Sequence, residues 1–165
     1  MTIWIPDVTV VIAAYNAADT IERAIESALS QTNVTVEVIV ADDCSSDQTC
    51  ERVLSIHDPR VILIALEQNK GPGGARNAAI ERARGRWIAV LDSDDVFKPM
   101  RLFNMLERAK ESDAQIVVDN LDVIDMDNHR RTMFVEEALF QLGQLDLARF
   151  IRSNILFKAE HNFGY

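Results

Sequence analysis

Apolar positions along this chain alternate between two spacings, and the alternation predicts its architecture. Val8 to Ala14 is a β-branched run without polar alternation, the pattern of a strand buried on both faces. Ile21, Ala24, Ile25, Ala28 and Leu29 then recur at helical spacing, behind Asp19 or Thr20 as a cap. Val34 to Ala41 is a second β-branched run, ending at Asp42-Asp43. A short helix carrying Val53, Leu54 and Ile56 follows, with Asp47 or Thr49 as its cap and Pro59 as its stop. Val61 to Leu66 predicts a third strand. Lys70 to Gly74 predicts a tight loop, and Ala75, Ala78, Ala79, Ile80 and Ala83 the small-residue face of a helix ended by Gly85. Trp87 to Leu91 predicts a fourth buried strand. Pro99 suits the first turn of a helix continued by Leu102, Met105, Leu106 and Ala109, and Ala114 to Asp119 predicts a fifth strand.

Strands alternating with helices over some hundred residues predict an α/β fold, an open, mostly parallel sheet with helices on both faces. Its crossovers are expected to be right-handed. Ligands of such sheets bind outside the carboxyl ends of the strands. Four polar clusters follow predicted strand ends: Tyr15-Asn16, Asp42-Asp43, Asn69 to Arg76, and Asp92 to Asp95. If the strands are parallel, all four share one edge. After Asn120 the alternation breaks down. Leu121 to Met126 and Thr132 to Val135 read as strands around an Asp127-Asn128 turn, and Leu145 to Ile151 as a helix capped by Asp146. With no linker or repeat in view, residues 1–165 read as one domain.

Composition narrows the partners. The 165 residues are 48% hydrophobic and 26% charged, ordinary values for a globular domain, and carry a formal net charge of −9. That balance argues against nucleic acid, whose binding draws on Lys and Arg. No apolar stretch is long enough to cross a bilayer, and the first residues lack the basic region of a secretory signal. Two cysteines, Cys44 and Cys50, fit free thiols in a reducing cytoplasm. His57, His129 and His161 are scattered singletons without metal-ligand spacing.

Each cluster carries chemistry beside a plainer role. Tyr15 can stack on a nucleobase or wall the edge of the core. Asp42 and Asp43 can accept hydrogen bonds from a base or ribose, or form an Asx turn into Ser45-Ser46-Asp47. The loop Lys70-Gly71-Pro72-Gly73-Gly74-Ala75-Arg76-Asn77 lacks both the P-loop and the dinucleotide fingerprints. It can still bring backbone and helix N–H groups to an anion. Arg76 near a helix start opposes the dipole, so a carboxylate such as Asp43 or a ligand oxygen is expected beside it. Asp92-Ser93-Asp94-Asp95 places three carboxylates where a strand leaves the core. Their mutual repulsion is offset well by a hard divalent cation, whose open face can take a diphosphate. The plainer alternative is a solvated acidic turn.

Four segments in this order resemble the inverting glycosyltransferases of family 2. They are Val8 to Asn16 (VTVVIAAYN), Glu37 to Thr49 (EVIVADDCSSDQT), Asn69 to Ala79 (NKGPGGARNAA) and Trp87 to Pro99 (WIAVLDSDDVFKP). Any one is weak; four in register are specific. The resemblance implies a Rossmann-like GT-A fold and a nucleoside-diphosphate sugar donor, most often a UDP-sugar, with Mn²⁺ or Mg²⁺. It implies a donor site of Ala13, Tyr15, Asn16, Asp42, Asp43, Gly71, Arg76, Asp92 and Ser93, with Tyr15 on the base, Asp43 at its edge and Arg76 supporting base or phosphates. Metal falls to Asp92, Asp94 and Asp95, with Asp94 or Asp95 the direct ligand. The nearest likeness is to bacterial exopolysaccharide or succinoglycan-type enzymes, which extend glycan or lipid-linked acceptors at the inner membrane face.

One departure qualifies the expectation. Inverting transfer needs a general base on the acceptor hydroxyl. In the family it is an acidic residue in a Glu-Asp motif after a short apolar segment, which Ile155 to Lys158 resembles. Asp122, Asp125, Asp127, Glu136 and Glu137 do not match that motif. The base is therefore expected beyond Tyr165, in a longer protein of which this is the N-terminal part. Without it the chain would be a nucleotide-sugar-binding module. A receiver domain is disfavoured because its acidic pair follows the first strand, and because Leu121 and Gln144 stand near its required Thr/Ser and Lys. A nucleotidyltransferase would carry its glycine-rich loop where Tyr15-Asn16-Ala17-Ala18 stands.

Overall fold

The computed structural model describes residues 4–119, 122–124, 130–132 and 155–158. In chain order the elements are β1 (Val8–Ala14), α1 (Ile21–Leu29), β2 (Val36–Asp42), α2 (Thr49–Ser55), β3 (Val61–Ala65) and α3 (Gly71–Ile80). There follow β4 (Trp87–Asp92), α4 (Arg101–Ser112), β5 (Ile116–Val118), β6 (Asp122–Ile124), β7 (Arg130–Thr132) and β8 (Ile155–Lys158). The main sheet has the order β3-β2-β1-β4-β8-β5. β1 to β4 are mutually parallel, while β8 lies antiparallel between β4 and β5. β6 and β7 form a separate antiparallel pair.

Successive side chains of a strand point to opposite faces, so each central strand feeds two cores. Val8, Val10 and Ile12 of β1 join Val38, Val40, Ala89 and Leu91 under α1, α2 and α4. Val11, Ile39, Ala41 and Ile88 pack on the other face against Ala75 and Ala79 of α3. Alanines on α3 let its backbone approach the sheet closely. The predicted α/β architecture with helices on both faces is the one found.

Several boundaries differ from expectation. α3 begins at Gly71, ahead of the predicted Ala75, because Pro72 occupies its first turn, where a missing N–H costs nothing. Gly85 does not end α3, which stops at Ile80. Instead it lies against β1, where an added Cβ would stand 2.4 Å from the Thr9 nitrogen. α4 begins after Pro99, at Arg101, behind Met100 in a left-handed conformation (φ 62°). The second minor strand is Arg130–Thr132, two residues before the predicted start of Thr132 to Val135. Ile155 to Lys158, taken above only as an apolar segment, is a strand of the main sheet. The predicted helix over 145–151 lies outside the described residues.

A buried charge fastens the α3–β4 connection. Glu37, on β2, is fully buried. Its Oε1 accepts from the Thr9 hydroxyl (2.6 Å) and the Arg84 backbone N–H (2.7 Å). Its Oε2 accepts from Arg84 Nε (2.9 Å) and Nη2 (2.6 Å). Thr9 Oγ1 in turn accepts from Gly85 N–H at 2.8 Å. A carboxylate tolerates this burial only because both oxygens are hydrogen-bonded and one is ion-paired. The Arg84 side chain remains half exposed, so the two partners are not equivalent. Arg84→Ala leaves a buried unpaired charge and should cost about 3–5 kcal/mol. Glu37→Gln leaves a solvated guanidinium and should cost about 1.5–3 kcal/mol. Urea unfolding midpoints at constant m-value would measure the difference, and a larger loss from Glu37→Gln would contradict this account.

Candidate functional site

Parallel pairing in register brings the strand ends together. Ala13 of β1 lies beside Ala41 of β2 and Asp92 of β4, and Ala14 lies beside Asp42. At this carboxyl edge a cavity of about 270 Å³ is lined by Ala13, Ala14, Tyr15, Asp43, Asn69, Gly71 and Pro72. Four of the residues expected from the sequence, Ala13, Tyr15, Asp43 and Gly71, therefore share one pocket. Tyr15 is 55% exposed, with its ring available to a ligand rather than closing the core.

The adjacent carboxylates Asp42 and Asp43 divide the two roles left open above. Asp42 is buried and forms the turn, accepting from Ser45 N–H (3.0 Å) and Ser45 Oγ (2.5 Å). Asp43 faces α3. Its Oδ1 accepts from Lys70 N–H at 2.7 Å, and its other carboxylate oxygen makes no hydrogen bond among the described residues. Asn69 holds the same corner, donating to the Asp43 carbonyl (3.1 Å) and accepting from Gly71 N–H (3.1 Å). Gly71 has φ 73°, a conformation that a side chain would strain.

Tyr15 is held by a clamp between two loops. Asn16, itself at φ 49°, donates its N–H to Ser45 Oγ (2.9 Å) and accepts from Ser46 N–H (2.9 Å). Ala17 N–H donates to Thr49 Oγ1 (2.8 Å), and Ala18 N–H to Asp47 Oδ2 (3.1 Å). Asp47 also accepts from the Thr49 hydroxyl, and that bond holds its carboxyl below the usual range. Asn16 and Asp42, expected at the donor, are thus the frame of the pocket rather than its lining. Ser46, Asp47 and Thr49 were not singled out as part of the site. Their density of hydroxyls and acids after a strand was the available signal.

Arg76 meets a different partner from the one expected. Its Nη2 donates to Asp92 Oδ1 at 2.5 Å, not to Asp43. Register explains this, because Asp92 ends the strand next to β1, and α3 packs on that face of the sheet. Arg76 Nε is buried without a hydrogen-bond partner. The Asp92 side chain is still 47% exposed. Beyond it Ser93 begins a turn closed by Asp95 N–H to the Asp92 carbonyl (3.1 Å), and Asp94 and Asp95 are exposed. Among the described residues no three acidic, His or Cys side chains converge into a ready metal cage.

Fold and strand-end cluster together define an α/β domain with a pocket at the carboxyl edge of its sheet, where ligands of such sheets bind. The chain belongs to glycosyl transferase family 2, whose profile matches residues 9–165. It is 64% identical over 161 residues to the succinoglycan biosynthesis protein ExoO of Rhizobium meliloti (strain 1021), covering 98% of this chain and 46% of that protein. It is 46% identical over 99 residues to the Escherichia coli UDP-Glc:alpha-D-GlcNAc-diphosphoundecaprenol beta-1,3-glucosyltransferase WfaP, covering 60% of this chain and 39% of that one. The chain thus spans less than half the length of these relatives. Among solved structures, S. aureus TarS 1-349 matches with a TM-score of 0.77 at 24% identity, over 92% of this chain and 47% of that one. The Pyrobaculum calidifontis mannosyltransferase PcManGT, in complex with GDP-Man and Mn2+, matches at 0.62 and 26% identity over 70% of this chain and 35% of that one.

The clamp also sets thiol chemistry. Burial and the neighbouring Asp42 carboxylate push the Cys50 thiol up to about 11, whereas Cys44 is exposed. At pH 8 about one Cys50 in a thousand is thiolate, the reactive form. Iodoacetamide should therefore label Cys44 and spare Cys50, as read by peptide mass mapping. Asp42→Asn should raise the Cys50 rate. Equal labelling of both cysteines in the unaltered protein would contradict the arrangement.

Proposed function

We propose that this chain forms the donor site of an inverting glycosyltransferase. It takes a nucleoside-diphosphate sugar, with UDP-sugars favoured, and serves transfer to a glycan or lipid-linked acceptor in polysaccharide biosynthesis. One observation carries this reading: the Tyr15–Asp43 pocket lies on the same sheet edge as the Arg76–Asp92 pair and the acidic turn. A flat aromatic surface with a lone acceptor oxygen suits a base that offers a ring N–H. Uracil offers one at N3, and guanine offers one with its amino group. Cytosine presents an acceptor at the same place and would leave the Asp43 oxygen facing a lone pair.

Ribose and diphosphate would then extend toward β4. Asp92, already oriented by Arg76, is suited to ribose hydroxyls, while Ser93 begins the turn that follows it. Asp94 and Asp95 fit a hard cation. Mg²⁺ is commonly held by one or two carboxylates plus substrate phosphates, so a three-carboxylate cage is not required. When bound, Mn²⁺ or Mg²⁺ stabilises the charge gathering on the leaving diphosphate. We assign no general base among the described residues. The UDP-Glc in one relative's name and the GDP-Man and Mn²⁺ bound to one structural neighbour support the donor class and the metal. No helix among the described residues is long and apolar enough to cross a membrane. A lipid-linked acceptor would be met peripherally, at the cytoplasmic face of the inner membrane.

Calorimetric titration with UDP, GDP and CDP, with and without Mn²⁺, tests the reading. UDP should bind more tightly with Mn²⁺, and CDP at least tenfold more weakly than UDP, the order expected for one lost charge-assisted hydrogen bond. Asp43→Ala should weaken UDP with or without metal, whereas Asp94→Asn should remove only the gain from metal. UDP binding indifferent to Mn²⁺, or unchanged by Asp92→Asn and Asp94→Asn together, would overturn the assignment.

A further inference from the structure

We propose that α1 is a strut that fixes the acidic turn relative to the base pocket, and that Arg23, Ser27 and Gln31 are its positioning residues. This rests on Asp92 to Asp95 forming the metal–diphosphate end of the site. Arg23 and Ser27 stand at i and i+4 on one face of α1, and Gln31 follows just past the Ser30 that caps its end. The opposite face buries Ile21, Ala24, Ile25 and Ala28 against the sheet, so the polar stripe is held in a fixed direction.

Each stripe residue grips main chain in the connection between β4 and α4. Arg23 Nη2 donates to the Asp94 carbonyl at 3.1 Å. Ser27 Oγ accepts from Phe97 N–H at 3.0 Å while donating to the Ala24 carbonyl at 2.7 Å. Gln31 Nε2 donates to the Lys98 carbonyl at 2.8 Å, and its Oε1 accepts from Leu102 N–H at 3.0 Å. Gln31 is only 7% exposed, so its amide is committed to these bonds with little competition from water. Between its two anchors the chain passes through Met100 at φ 62°, a conformation that residues other than glycine seldom take. Such a bend persists when surrounding contacts over-determine it. These contacts are to main chain, and Asp94 and Asp95 remain exposed residues.

The other end of the strut is fastened to the base pocket. Ala17 and Ala18, just before α1, are the residues clamped by Thr49 and Asp47 beside Tyr15. A rigid helix tied at its start to the Tyr15 loop and along its side to the acidic turn sets the span that a nucleoside diphosphate must bridge. Preorganisation of this kind strengthens binding without adding contacts. Loosening the stripe should weaken the metal end while leaving the base end intact.

The experiment measures UDP affinity with and without Mn²⁺ in the unaltered protein and in Arg23→Ala, Ser27→Ala, Ser27→Thr and Gln31→Leu. Val36→Ala, a buried change at the far edge of the sheet, serves as a control for general destabilisation. Ser27→Ala and Gln31→Leu should lose about tenfold of the Mn²⁺-dependent gain, the scale seen when partners that orient metal ligands are removed. Arg23→Ala, an exposed position that keeps the test open if Gln31→Leu does not fold, should lose several-fold by the same scale. Metal-free UDP affinity should stay within about twofold, and Ser27→Thr, which keeps the hydroxyl, should retain the gain. Val36→Ala should lower melting temperature without touching it. If Asp94→Asn abolishes the gain but the stripe variants keep it, the donor site stands and the strut is wrong. If the unaltered protein shows no gain from Mn²⁺, the metal reading fails and the strut with it. Metal-free affinity falling as far as the gain would mean general loosening, and would also overturn the proposal.

Discussion

The site depends above all on three parallel strands ending level. β1 is buried along nearly its whole length, with β2 on one side and β4 on the other. Parallel ladders in this register leave Ala13, Ala41 and Asp92 side by side, so the residues that follow must turn outward at one place. A strand slipped by one residue would exchange its two faces, sending Val11 toward α1 and Val10 toward α3. Two differently shaped cores would then both be wrong, one built for Ile and Leu and the other for the alanines of α3. The apolar packing that stabilises the sheet therefore also places the polar edge.

Packing sets the edge, but hydrogen bonds to main chain shape it. Thr49 and Asp47 hold the Tyr15 loop, Asn69 and Lys70 hold Asp43, and the α1 stripe holds the segment after Asp92. Glu37 and Arg84 do the corresponding work at the opposite edge, fastening the connection that lets α3 return into β4. In each case a polar side chain replaces water at backbone groups that a loop would otherwise leave exposed and mobile. This is why so many Asp and Ser residues here bond their own backbone rather than face solvent.

These two layers explain what was legible in the sequence. Periodicity reveals where apolar side chains must go, so β1, α1, β4 and the shared polar edge could be read directly. Tyr15, Asp43 and Gly71 could be placed together because residues that follow parallel strands gather at one edge, where they line one pocket. Asp42 and Asn16 could not be separated from them, since framing and lining residues have the same chemistry and adjacent numbers. The partner of Arg76 depended on β4 lying next to β1, a fact of strand order and not of spacing. β8 was missed because three apolar residues and a lysine far from the other strands carry no sign of where they pair. Arg23, Ser27 and Gln31 recur every fourth residue, yet only contacts to residues some seventy positions away distinguish them from a solvated face.

Charge balance links the edge to its ligand. Asp92, Asp94 and Asp95 set three carboxylates beside two guanidiniums, Arg76 on the Asp92 carboxylate and Arg23 on the Asp94 carbonyl, a formal −1 within a chain already at −9. Repulsion of this size at one turn lowers stability unless it is screened or matched. Arg76 pairs with Asp92, the carboxylate nearest the sheet, and Arg23 lies against the Asp94 main chain. On the proposed reading, metal and diphosphate would arrive as one unit: the cation offsets the carboxylates, and the diphosphate supplies oxygens to that cation while its own charge falls beside Arg76.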